Sequence, residues 1–124
     1  MTQHRGLDSE RWCRFELDQQ VLMIANEMNR VAGAVESGRL ESRRGGYERV
    51  LRLTDLTVAC NARRTFRREL LRWRDLIAEL YVSESAAPDG HRSAFRALLR
   101  LRPAAAKQIP LLSATRGGAA RGQP

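Results

Sequence analysis

The sequence predicts an all-α fold, an antiparallel bundle of about four helices with a long first helix, a short fourth helix and a disordered basic tail. Three observations carry this. Apolar residues recur at helical spacing in three long stretches. Short polar segments bearing glycine or asparagine separate them. The chain, 124 residues with 43% apolar content, is long enough for one modest core and too periodic for a disordered protein.

The clearest stripe lies in residues 63–80. Phe66, Leu70, Trp73, Ile77 and Leu80 are spaced 4, 3, 4, 3 and share one helix face. Arg63, Arg64, Arg67, Arg68, Arg72 and Arg74 crowd the rest of that helix. The first helix is expected over residues 9–37, capped by Asp8 or Ser9, with Leu17, Val21, Ile24, Met28, Val31 and Val35 as a heptad-like seam and Gly38 as its stop. At ~1.5 Å per residue it would be about 40 Å long, twice its successor. Residues 38–46, GRLESRRGG, read as a loop. The second helix is expected over about 46–60, with Asn61 breaking it from the third; one continuous helix over 47–82 is the alternative. Residues 83–91 read as a loop, and Asp89 or Ser93 caps a short fourth helix that Pro103 ends. The domain organisation is then a flexible N-terminus (1–8), a bundle domain (9–112) and a disordered tail (113–124).

The formal charge is +8, and 21 of the 22 basic residues are arginine. Residues 1–41 carry five basic and seven acidic groups, 42–82 ten and five, and 83–124 seven and two, so the positive potential belongs to the last two segments. Such a balance attracts phosphate backbones, although an Arg-, Ala- and Gly-rich composition also follows from a GC-rich genome. Two arginine rows stand out: Arg64, Arg68 and Arg72 on the third predicted helix, and Arg92, Arg96 and Arg100 on the fourth. Glu69, Asp75 and Glu79 offer the first row local ion pairs, whereas the second has no acid beyond Asp89.

Catalytic chemistry is sparse. His4 and His91 stand in no HExxH or ExxH pattern, and there is no phosphate loop and no nucleophile elbow. No catalytic residue, metal or cofactor is expected, and no small-molecule substrate is inferred. Glu16, Glu27, Glu48 and Asp55 are the residual carboxylates to consider, with ion pairing favoured for them. Cys13 and Cys60 are expected to be reduced. With the hairpin closed between Ser37 and Gly46, Cys60 falls level with about residue 23, roughly 15 Å from Cys13. No apolar run has the length of a membrane span and the N-terminus lacks a signal-like apolar region, so a cytoplasmic location is expected.

ANEMNRVAG, YERVLRLTDLT and RRELLRWRDLIAELYV, within residues 21–82, resemble small bacterial all-helical proteins. The resemblance implies an all-α bundle with a break between the second and third helices, and no activity. The leading functional expectation is a non-catalytic interaction module, a homo-oligomer or small subunit of an assembly. It would dock through Trp12, Phe15, Leu17 and Val21, the apolar end of the first helix that the shorter second cannot cover. The alternative is a basic protein that holds RNA or DNA through the two arginine rows.

Overall fold

In the computed structural model, which describes residues 9–103, the described chain is helical, with no strand. Five helices appear: α1 (Ser9–Trp12), α2 (Leu17–Ser37), α3 (Leu40–Cys60), α4 (Arg64–Val82) and α5 (Pro88–Leu101). α2, α3, α4 and α5 pack in a closed cycle, each against two neighbours, and α1 lies on α3. The expected flexible N-terminus and tail fall outside the described residues.

The core stripes are where the spacing put them. Val21, Ile24, Met28, Val31 and Val35 of α2 meet Tyr47, Val50 and Leu53 of α3, Phe66, Leu70, Trp73 and Ile77 of α4, and Ala94 and Leu98 of α5. Burial of these side chains drives the fold at roughly 1.5–3 kcal/mol each. Gly38 ends α2 in the left-handed conformation, φ 72°, and Arg39 N–H reaches back to Ala34 O. Residues 61–63 break α3 from α4.

Three expectations are corrected. The first helix is not continuous: after Trp12 the chain turns and restarts at Leu17. A straight helix would have left Trp12 without a partner. The turn instead drives it fully into the core, where its Nε1 donates to Thr57 Oγ1 at 2.9 Å. Buried Gln20 holds the turn by donating to Trp12 O at 2.9 Å and Phe15 O at 3.1 Å. Second, the predicted loop 38–46 belongs mostly to α3, which begins at Leu40. Its Gly46 is a packing residue, since a Cβ there would lie 2.2 Å from Val31 Cγ2. The backbones of α2 and α3 approach closely only because that position has no side chain. The fourth predicted helix likewise starts earlier, at Pro88, whose fixed φ suits a first helical turn.

Third, Cys13 and Cys60 form a disulfide, with Cα atoms 5.3 Å apart. The two preceding corrections explain it. A hairpin closed between Ser37 and Leu40 sets Cys60 level with about residue 17, and the turn after Trp12 folds Cys13 back the remaining distance.

The bundle has two polar joints at opposite ends. At one, Trp12, Gln20, Thr57 and Asn61 form a chain of hydrogen bonds beside the disulfide. At the other, buried Arg43 donates to Ser85 O at 2.9 Å and to Ser83 O and Glu84 O at 3.1 Å, and Arg44 Nε to Tyr81 O at 3.2 Å. These guanidinium groups cap the carbonyl-rich end of α4 and the turn after it. Next to them His91 Nε2 bonds Met28 O at 3.0 Å and Nδ1 meets Tyr47 Oη at 2.8 Å. A carbonyl only accepts, so Nε2 carries the proton and Tyr47 donates to Nδ1. Burial lowers the His91 pKa from its ordinary 6.5 and raises that of Tyr47 to about 12, which keeps both groups neutral.

A pH dependence follows. Unfolded His91 takes up a proton near pH 6.5, and the folded form resists until a lower pH. The stability contribution is therefore complete above 6.5 and is lost as the pH falls from there through the depressed folded pKa. Thermal melts between pH 7.5 and pH 5 should show this decline, and His91→Gln should flatten it; an equal decline in the variant would remove His91 as its source.

Candidate nucleic-acid interface

The antiparallel cycle gathers arginines at one end. The core stripe of α4 turns Phe66, Leu70, Trp73 and Ile77 inward, so Arg64 and Arg68 point outward, with Arg63 and Arg67 also exposed. α5 runs the other way, and its last turn brings Arg100 to the same groove as Arg72. The acids of α4 fall mainly in its second half, at Asp75 and Glu79. Its N-cap and N-terminal half, residues 63–72, hold five arginines and one acid, Glu69. At ~1.5 Å per residue, Arg64, Arg68 and Arg72 span about 12 Å. The α4 N-terminus has no side-chain cap, so its uncapped N–H groups add positive potential at the same place.

Pairing separates the two rows at one residue, Arg92, since the rest of both rows forms no ion pair among the described residues. Among the described residues, Arg63, Arg64, Arg67, Arg68, Arg72 and Arg100 form no ion pair. Arg92, in the row expected to have no acid beyond Asp89, meets that Asp89 and also Glu36 of α2 at 2.9 Å. Among the described residues Arg96 reaches only Ser93 Oγ, at 3.5 Å, and forms no ion pair. The local acids of α4 are not used as expected either: Arg74 forks onto Asp55 of α3, Nε to Oδ1 at 2.5 Å and Nη2 to Oδ2 at 3.1 Å. Arg92 thus sits at the far end of the bundle, engaged, while Arg64 and Arg68 near the start of α4, and Arg72 and Arg100 at the shared groove, form no ion pair among the described residues.

The groove between α4 and α5 has a volume of about 390 Å³ and is lined by Glu69, Arg72, Trp73, Leu76, Ala97, Arg100 and Leu101. Trp73 is buried in its floor with Nε1 donating to Ala94 O at 2.7 Å. Leu76 stands 44% exposed at its edge. Leu101 is among the apolar residues the sequence assigns to the fourth helix, whereas Leu76 and Ala97 carry no signal there beyond Leu76 lying off the α4 core stripe.

Of the four residues expected to dock a partner, Trp12 and Val21 are fully buried in the chain's own core, and Leu17 packs against it. Only Phe15 presents a surface, its ring edge-on to Trp12 at 5.7 Å. The four carboxylates do not converge. Glu27 is held by Arg30 and Arg49, Glu48 accepts from Tyr81 Oη at 2.8 Å, Asp55 is held by Arg74, and Glu16 lies exposed at the α2 start. Among the described residues no three His, Cys, Asp or Glu side chains are grouped to hold a metal ion. No described helix is long and apolar enough to cross a membrane. Comparison with protein-family models, with curated proteins and with solved structures finds no match to this chain.

Proposed function

We propose that this protein is a non-catalytic helical module whose partner is nucleic acid, held by its phosphate backbone at the arginine-rich end of the bundle. The carrying observation is that Arg63 at the N-cap and Arg64, Arg67, Arg68 and Arg72 in the first half of α4 are exposed with no ion pair among the described residues. Arginines that serve the fold find partners within it, carboxylates for Arg74 and Arg92 and backbone carbonyls for Arg43. A row left unpaired keeps its full charge for an external anion, and its fork geometry suits phosphate. The reading of the chain as a homo-oligomer through helix 1 loses its argument, because Trp12 and Val21 are already covered. The Cys13–Cys60 disulfide favours an oxidising compartment over the cytoplasm expected from the sequence, because thiol reductants keep cytosolic cysteines reduced.

The test is titration of a labelled mixed-sequence oligonucleotide over a range of salt. Each backbone contact on a single strand contributes about 0.7 to the log–log salt slope, so Arg64→Ala with Arg68→Ala should lower the slope by about 1.4. Unchanged affinity and slope in this double variant would end the proposal.

A further inference from the structure

We infer that the α4–α5 groove is a base-binding subsite, so that the protein selects unpaired nucleotides over duplex. This rests on the reading of the arginine-rich end as a phosphate-binding surface and adds to it the form of nucleic acid bound. The groove is amphiphilic in a particular order. Its rim carries Arg72 from one helix and Arg100 from the other, and its walls and floor are Trp73, Leu76, Ala97 and Leu101. A ligand that satisfies both parts presents anionic groups beside flat apolar rings. Unpaired nucleotides do so, with phosphates on the rim and a base laid between the guanidinium planes and Leu76. A duplex offers the rim its phosphates and keeps its bases stacked away from the floor, and taking one out costs unstacking and unpairing free energy.

Glu69, the one acid on the rim, opposes a bare polyanion and has a use with a base: its carboxylate accepts from an exocyclic amino group. An acidic peptide would also suit two arginines above an apolar floor. The observation that favours nucleic acid is the continuation of unpaired cations along α4, at Arg63, Arg64, Arg67 and Arg68, past the groove itself. A repeating phosphate chain uses such a series, whereas a carboxylate entering the groove needs only Arg72 and Arg100.

The experiment compares a labelled 20-nucleotide single strand with the hairpin duplex of the same composition, at one salt concentration, by fluorescence anisotropy. The single strand should bind at least about tenfold more tightly. Ala97→Leu, which fills the groove, and Leu76→Gln, which makes its edge polar, should each shrink that ratio toward one with duplex affinity unchanged, their folding checked by thermal melts. Equal binding of the two forms by the unaltered protein, or a ratio indifferent to both variants, overturns the inference. If both forms then still respond to the Arg64 and Arg68 replacements, the backbone reading survives it; absence of binding to either form sinks both. Competition by an acidic amphipathic peptide as effective as the single strand would assign the groove to a protein partner and likewise overturn the inference.

Discussion

Replacing Cys13 and Cys60 together by serine is expected to lower the unfolding free energy by about 4 kcal/mol, the largest effect of any change considered for this chain. The bond joins positions 47 residues apart, and closing a loop of that size in the unfolded chain removes roughly that much conformational entropy at 25 °C. For a domain of about 100 residues this corresponds to a fall in Tm of at least about 15 °C. Adding a dithiol reductant to the unaltered protein should give a similar shift, which separates loss of the cross-link from any effect of the serines. A change under about 1 kcal/mol in both experiments would mean that the contacts around Trp12 already hold the segment and that the bond adds little to them.

Arg43→Met should cost about 3 kcal/mol, measured by urea denaturation with the slope unchanged. Arg43 is 2% exposed and gives hydrogen bonds to three successive residues, Ser83, Glu84 and Ser85, through their carbonyls. Replacing a buried ion pair by apolar residues can be neutral because both charges leave together. Here the partners are backbone carbonyls that stay behind, and bonds from a charged donor to such groups are worth about 1.5–3 kcal/mol each. Among the described residues the buried Nε of Arg43 has no partner, so part of that gain is already offset, which is why the cost is not larger. Arg43→Lys should recover only part of the loss, since an ammonium cannot reproduce the planar fork. A loss below about 1 kcal/mol for the methionine variant would show the turn after α4 holding its shape without the clamp.

Elements whose stability rests on one apolar face were legible in the sequence. The spacing of Phe66, Leu70, Trp73 and Ile77 is the buried face of α4, and Gly38 ends α2 as a left-handed residue. What could not be read depends on contacts between segments distant in the chain. Gly45 and Gly46 carry the composition of a loop, and only the approach of Val31 turns Gly46 into an interior helical residue. Misplacing the start of α3 by about six residues shifted the hairpin register, and the apparent separation of Cys13 from Cys60 followed from that shift. The break after Trp12 was equally hidden, because it depends on the Gln20 amide and on Thr57, 45 residues away.

The arginines teach the same lesson at the candidate site. Helix-local reasoning assigned Glu69, Asp75 and Glu79 as partners within α4, yet among the described residues none of them forms an ion pair there, and Arg74 instead crosses to Asp55 of α3 while Arg92 adds Glu36 of α2 to its local Asp89. Which charges remain unpaired depends on docking as well as on local spacing. The two rows were recognisable from spacing alone; their relative weights, and the groove where Arg72 meets Arg100, were not.

The disulfide also has a topological consequence. It closes residues 13–60 into a covalent ring that contains α2 and α3, and leaves α4 and α5 as an arm attached at a single point. Even with every helix melted, the ring keeps the two halves of the α2–α3 hairpin within a limited distance, so that pairing reforms from a restricted ensemble. The arm has no such tether. Its return depends on the side chains it carries, Trp73 and Leu98 among them, and on Arg102 of the α5 cap meeting Asp18 on the ring at 2.6 Å. Opening that arm alone would carry the unpaired arginines away from the ring without breaking any covalent bond.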